Sequence, residues 1–264
     1  MPNTIRALFL GDIVGKPGCR ALFINLKNLI KEMNADIVIA NAENAAEGFG
    51  ITPEIVDQLV NNGVDVITSG NHIWQKREII PVLEKENVLL RPYNYPDGTP
   101  GTGVSIMSVS NTKIAIVNLL GRQHIACVPC PFLTAENLLK KLSNKADIIF
   151  FDFHAETVIE KEAFAYNFDG EITGIIGTHT HVQTADEKIL PKGTAYISDI
   201  GMTGPENSII GMQAEEAIQR SLTQIPIRMS VADNPASIHG VVIEADTSTG
   251  KALSIKRFKR ESKV

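Results

Sequence analysis

Eight side chains able to bind a metal ion or move a proton stand just past short apolar runs. Asp12 follows IRALFL (5–10) across Gly11. Glu43 and Asn44 follow DIVIAN (36–41), and Asn71 and His72 follow DVITS (65–69). His154 follows DIIFFDF (147–153), and His179 and His181 follow GIIG (174–177). Of the six histidines in the chain, only His124 and His239 fall outside this set. Imidazole suits Fe, Zn or Mn, and carboxylate and amide oxygens suit Mn, Mg or Fe. Two carboxylates, two amides and several imidazoles exceed what one tetrahedral ion takes. They fit two ions about 3.5–4 Å apart, with one carboxylate bridging. Such a pair turns a shared water into hydroxide at neutral pH and neutralises charge on phosphoryl oxygens as that hydroxide attacks phosphorus. Glu43 is the expected bridge, because its strand end falls between those that carry Asp12 and Asn71.

Taken singly, these residues have plainer readings. Asp and Asn are common in turns that follow strands. The THTH segment is more specific: alternate residues of an extended chain point one way, so His179 and His181 can face one crevice. The metal reading requires five strand ends to coincide. Other residues carry two readings each. Asp152 can orient the His154 imidazole or be a buried strand residue. Arg122 is a phosphate contact or a surface arginine. Trp74 is a stacking platform for a base or a core anchor. Cys127 and Cys130 form a lone CxxC, read as an incidental loop because no second CxxC completes a zinc site.

The elements that must position these residues alternate along the chain. Helical patterns cover 19–33, 52–63 (Thr52 as N-cap, Pro53 at the first helical position), 134–142 and 214–222. Strands at 5–10, 36–41, 65–69, 105–110, 113–119, 147–153, 174–177, 194–198 and 240–246 are largely continuous Ile/Val-rich runs, the pattern of strands buried on both faces. Strand–helix alternation predicts a largely parallel sheet at the front. The 105–119 region predicts a hairpin, hence a mixed or second sheet. The basic run 256–263 is read as a solvated terminus. In an open α/β sheet the carboxyl ends of the strands form the ligand crevice, which is where the eight residues fall.

At these positions the sequence resembles the calcineurin-like metallophosphoesterases. GNH is intact at Gly70 to His72, THTH stands where GHxH is usual, and Ala42, Glu43 and Asn44 replace a second GD. GDxH becomes GDIV, with Val14 in place of its histidine. GDIVGKPG, NAENAAEGFGIT, SGNHIW, FDFHAE, GTHTHVQTAD and ILPKGTAYISDIGMTGP are similar to one subfamily, the YmdB-type 2',3'-cyclic-nucleotide phosphodiesterases, along essentially the whole chain. The resemblance implies one domain over 1–264, a four-layer α/β/β/α sandwich and a di-metal site, most often iron, with Mn, Mg or Zn as other occupants. It implies Asp12, Glu43, Asn44 and His181 on the first metal, and Glu43, Asn71, His154 and His179 on the second. Asn44 would fill the role left by Val14, and His72 would be the general acid. It also implies a homo-oligomer, a tetramer.

A formal net charge of −5 disfavours a broad basic surface for duplex nucleic acid or anionic membrane, and leaves room for a local positive pocket. No apolar run reaches the roughly 20 residues of a membrane span, and no signal peptide is evident. The expectation is a cytoplasmic enzyme acting on small cyclic nucleotides, with short RNA ends as further partners. The rival readings are a phosphomonoesterase or nuclease using the same metals, and a nucleotide sensor with slow turnover.

Overall fold

The computed structural model describes residues 4–85 and 87–262. The chain runs β1 (Thr4–Leu10), β2 (Asp12–Ile13), α1 (Gly15–Met33), β3 (Ile37–Asn41), α2 (Pro53–Asn61), β4 (Val66–Thr68) and, after a 3-10 turn, α3 (Ile80–Lys85). A hairpin of β5 (Val104–Val109) and β6 (Thr112–Leu120) leads to α4 (Pro131–Leu142), β7 (Ile148–His154), α5 (Val158–Asn167) and β8 (Gly174–Thr178). Then come β9 (Lys188–Ile189), β10 (Ala195–Ile197), β11 (Met202–Pro205), α6 (Ala214–Thr223), β12 (Ala236–Asp246) and β13 (Ala252–Glu261).

These strands form two sheets. One is ordered β2-β11-β12-β1-β3-β4, with β13 paired to β12; the other is β5-β6-β7-β8-β10-β9. As expected, β1, β3 and β4 pair in parallel. The first sheet is nevertheless mixed, because β12 returns antiparallel beside β1. The expected hairpin is present, and its turn is Ser110 and Asn111, both at positive φ. That is the backbone of a two-residue turn whose twist matches the strands.

Side-chain alternation builds four layers. In β1, Ile5, Ala7 and Phe9 face the space between the sheets, while Leu8 and Leu10 meet α1 and α2 on the outer side. In β7, Ile148 and Phe150 point inward, and Ile149, Phe151 and Phe153 pack outward with α4 and α5. With period two, both faces of each strand are buried, so the strands read as unbroken apolar runs.

Some elements differ from the sequence reading. Helix α1 starts at Gly15 rather than Cys19. Pro17 lies in the first turn, where proline is tolerated, and Gly18 lets the helix approach β11, since a Cβ there would fall 2.2 Å from the Thr203 carbonyl oxygen. Thr52 precedes α2 as expected but makes no side-chain cap. Helix α5 escaped the sequence reading because it is weakly amphipathic, although Thr157 caps it by accepting from the Glu160 N–H at 3.2 Å. The basic run is not a free tail as far as Glu261. It is the edge strand β13, on which Arg257, Lys259 and Arg260 pair with Glu187, Glu206 and Glu32. Lys263 lies outside the described residues. Charged side chains are a usual guard on an edge strand, and here they masked its alternation.

Candidate metal centre

Period two also explains how the site arises. The inward face that carries Ile37 and Ile39 ends in Asn41, and the one carrying Val66 ends in Thr68. The inward face of β7 continues from Phe150 to Asp152 and His154, and that of β8 runs from Ile176 to Thr178. The layer between the sheets thus turns from apolar to polar at the carboxyl ends of its strands. Asn41 donates to Asp152 Oδ2 across the sheets at 3.0 Å, and Thr68 donates to the same oxygen. Asn118 on β6 clamps the turn after β4: its amide donates to the Ser69 carbonyl (2.9 Å) and its oxygen accepts from the Ser69 N–H (3.0 Å). That turn presents Asn71 and His72. It also needs Gly70, where a Cβ would lie 2.3 Å from His154 Nε2 and 2.4 Å from Glu43 Oε2.

The eight expected residues all come to this end of the sandwich. Glu43 Oε1 lies 2.9 Å from His154 Nε2, which in turn lies 3.0 Å from His179 Nδ1. Asp12 Oδ1 is 3.9 Å from His154 Nδ1 and 4.0 Å from His181 Nε2. The His72 N–H donates to Glu43 Oε2 at 2.9 Å, and Asn71 Nδ2 is 3.4 Å from His72 Nε2. Asn44 joins through its backbone, accepting from the Gly15 N–H beside Asp12 at 3.0 Å. Val14, where the wider family has histidine, is fully buried and packs against Gly204 and Gly211.

The imidazoles of His154, His179 and His181 are each engaged through one nitrogen, as metal-bound histidines usually are. The Thr178 hydroxyl donates to Asp152 Oδ1 at 2.6 Å, so its oxygen accepts from His154 Nδ1–H at 2.8 Å. Asp152 therefore orients His154 through Thr178 rather than directly. His179 Nε2 lies 2.9 Å from Glu156 Oε2, and His181 Nδ1 donates to the Ile210 carbonyl at 2.8 Å. The nitrogens left over are His154 Nε2, His179 Nδ1 and His181 Nε2. The Asn44 amide donates to the Gly48 carbonyl at 2.8 Å, turning its oxygen inward.

The two histidines of THTH converge for a different reason from the one read in the sequence. The segment is not extended: His179 has φ +104° and His181 φ +66°. A non-glycine residue in that region is strained, and the surroundings must hold it there. The buried pair Lys161 and Asp199 does so. Lys161 Nζ donates to the Thr178 carbonyl (2.8 Å) and to Asp199 Oδ2 (3.1 Å), and the same oxygen accepts from the Thr180 N–H (2.9 Å) and hydroxyl (2.8 Å).

The charges are strongly coupled. Burial raises Glu43, but His154 and then His72 outweigh it and hold the carboxyl at about 2. Burial would lower His154, yet Glu43 and Asp12 push it up to about 9. Asp12 is raised to about 6, chiefly by burial against the pull of His181 and His154. His179 falls to about 3 through burial and the charge of His154, and burial also lowers His72.

The donor set fits metal ions. Asp12 Oδ1, Asn44 Oδ1 and Asn71 Oδ1 are buried with no hydrogen-bond partner, a costly state for a polar atom unless something else engages it. Ligand atoms of Glu43, His154 and His179 lie within 4.8 Å of one another. Ligands about 2.1 Å from one ion stand about 3 Å apart at right angles, which is the spacing of the closest pairs here.

Sequence reading missed Glu156, Lys161 and Asp199, whereas Thr178 and Thr180, which flank His179, were readable either as hydrogen-bonding groups of the crevice or as extended-backbone formers, and both hydrogen-bond there. The polar residues of matching parity at the strand ends were a usable signal for Thr178; Lys161 and Asp199 left none. Trp74 packs edge-on to Tyr95, with centroids 5.4 Å apart, beside the outer core of the first sheet. Arg122 is exposed, and its backbone rather than its guanidinium meets Glu160. Cys127 and Cys130 are unpaired.

A two-sheet sandwich flanked by helices, with this cluster at its strand ends, is the calcineurin-like metallophosphoesterase fold. The NAD nucleotidase of Haemophilus influenzae shares that fold alone, at 12% identity and TM-score 0.58 over 98% of this chain and 56% of that one. The model of the YmdB-like protein family matches residues 8–258, and the chain belongs to that family. It is 44% identical to the 2',3'-cyclic-nucleotide 2'-phosphodiesterase of Bacillus subtilis (strain 168) over 254 residues, 96% of each chain. The crystal structure of a novel phosphatase from Mycoplasma pneumoniae superposes with TM-score 0.93 at 37% identity, over 99% of this chain and 95% of that one. The resemblance carried by the motifs is thus borne out. No helix among the described residues is long and apolar enough to cross a membrane.

Proposed function

We propose that this protein is a metal-dependent phosphodiesterase that hydrolyses 2',3'-cyclic nucleotides. The observation that carries this reading is the set of buried, partnerless oxygens of Asp12, Asn44 and Asn71 around the Glu43–His154–His179 cluster. The name of the Bacillus subtilis relative supports the substrate. Asp12, Glu43, Asn44 and His181 would hold one ion, and Glu43, Asn71, His154 and His179 the other. When bound, such ions supply Lewis acidity, which makes water nucleophilic at neutral pH and offsets phosphoryl charge. The family resemblance implies iron, with Mn, Mg or Zn as substitutes, and mixed nitrogen and oxygen donors suit any of these ions.

The rest is the work of the chain itself. The His72 ring is half-buried and borders a large cavity. Its backbone is tied to Glu43, and Phe49 packs edge-on against it with centroids 5.1 Å apart. Burial disfavours its cationic form, and in this reading His72 is the acid that protonates the leaving 2′-oxygen. Exposed Ile218, Leu222 and Ile225 on and after α6 are consistent with self-association; a tetramer follows from the family resemblance, and a cytoplasmic compartment is part of the same proposal.

The test is metal analysis of anaerobically purified protein together with hydrolysis of 2',3'-cyclic AMP. His72→Ala is expected to keep its metal and lose about 10²–10⁴ in turnover, while Asp12→Ala loses both metal and turnover. Protein that binds no metal, or full activity in His72→Ala, refutes the reading. An aryl phosphate in the same assay addresses the monoesterase reading that the Mycoplasma pneumoniae phosphatase favours.

A further inference from the structure

We propose that the cavity beside His72 holds a second, phosphate-linked nucleotide, so that the preferred substrate is a short RNA ending in a 2',3'-cyclic phosphate. The inference rests on the function proposed above and names its substrate class. The cavity encloses about 1070 Å³ and begins at the His72 ring. That is at the upper end of the roughly 300–1,000 Å³ that small-molecule sites occupy, and none of the seven expected metal ligands lines it. A cyclic mononucleotide has one phosphate, which the metal centre takes. Nothing else in it answers the charges on the cavity wall.

Those charges are Lys16 and Arg20 on α1, Lys76, and Arg228 on the segment after α6, against the carboxylates Glu47 and Asp233. Lys76 is paired with Glu47 at 3.1 Å. Lys16, Lys76 and Arg228 line the same cavity as Glu47, and Lys76 first, then Arg228 and Lys16, hold Glu47 below the usual carboxylate range. Lys16, Arg20 and Arg228 make no ion pair with any described residue. Lys16 and Arg20 are four residues apart on α1, hence on one face. In a chain of net charge −5 this is a local reversal of sign, the feature that concentrates an anionic ligand. Phe49 lines the same wall beside His72. An aromatic surface next to unpaired cations is the usual platform for single-stranded nucleic acid.

An RNA 3′ end fits this layout. Its cyclic phosphate reaches the metal centre, its terminal nucleoside passes His72, and the phosphodiester on its 5′ side meets the cations. Water adds to phosphorus, the P–O2′ bond breaks and O2′ takes the proton, which leaves a 3′-phosphate and a 2′-hydroxyl with no redox change.

The experiment compares adenosine 2',3'-cyclic phosphate with the dinucleotide ApA bearing the same cyclic end. A parallel arm measures binding of the products, 3′-AMP and ApAp, by calorimetry, with no turnover required. The dinucleotide is expected to be favoured by about tenfold or more in both kcat/KM and affinity, the effect of one stacked base, and its advantage should shrink as salt rises. In Arg20→Ala/Arg228→Ala, two exposed positions, that ratio is expected to fall towards one. A 5′-phosphorylated mononucleotide separates the phosphate from the second base. Equal affinity for ApAp and 3′-AMP, or a ratio unchanged in the double variant, overturns the proposal. Loss of all turnover with the ApAp preference intact would instead overturn the catalytic reading.

Discussion

The space between the sheets has two ends, and the same strands build both. At one end Phe9, Phe150, Ile176 and Ile243 close an apolar layer, with Phe9 and Phe150 edge-on at 5.3 Å. At the other, Asn41, Thr68, Asn118, Asp152, His154 and Thr178 are as deeply buried, yet polar and hydrogen-bonded across the sheets. The apolar end needs only volume and is stabilised by burial. The polar end needs direction, because each donor must leave one chosen lone pair facing the centre. Stability and function are therefore separable along a single strand such as β7.

The largest effect expected is on the apolar end. Phe150→Ala should cost about 3–5 kcal/mol in a denaturant melt while the folded fraction keeps its metal affinity. Lost metal affinity at full folding would break the separation. Asp199→Ala should cost a similar ~3–5 kcal/mol, because it strands the buried Lys161. Replacing both, as Lys161→Met/Asp199→Leu, should recover much of the stability but not the metal, since Thr180 loses its anchor. Thr178→Val comes next. Severing His154 from Asp152 should weaken metal binding by about 10–100-fold at a cost of about 1–3 kcal/mol in stability, and Thr178→Ser should restore both.

The smallest effect is one of pH. In metal-free protein the His154 pKa lies at about 9, above its ordinary 6.5, so its contribution to stability is present below 6.5 and is lost as pH rises through 9. Asp12, raised to about 6, acts in the same direction at lower pH, whereas Glu43, held at about 2, contributes above its ordinary 4.5 and loses that contribution as pH falls towards 2. Melting of metal-free protein should therefore fall between pH 6.5 and 9. Metal uptake at pH 7 should release a proton from His154, seen as a buffer-dependent heat of binding. Uptake without proton release would mean that His154 is not displaced by the ion.

Much of this was legible in the chain. Continuous Ile/Val runs marked the buried strands, and the residues after five of them marked the site. Asn111 in its turn marked the hairpin. The edge strand β13 was not legible, because its charges are matched by carboxylates distant in sequence, at Glu32, Glu187 and Glu206. Nor was the left-handed backbone at His179 and His181. Local propensity argues against it, and tertiary contacts hold it in place, among them the Lys161–Asp199 pair on the flanking threonines and the Asp12 carboxylate on the His179 N–H.

The sequence by itself determined which side chains gather and at which end of the strands, because period two and strand length are local properties. It also carried the family, through motifs read in order. Only the tertiary structure decided which atom of each donor faces the centre. That choice depends on partners such as Thr178, Glu156, Gly48 and Ile210, each of which takes up the atom facing away. Lone-pair direction is set by hydrogen bonds to whatever packs behind the ligand, and such neighbours exist only once the two sheets have met.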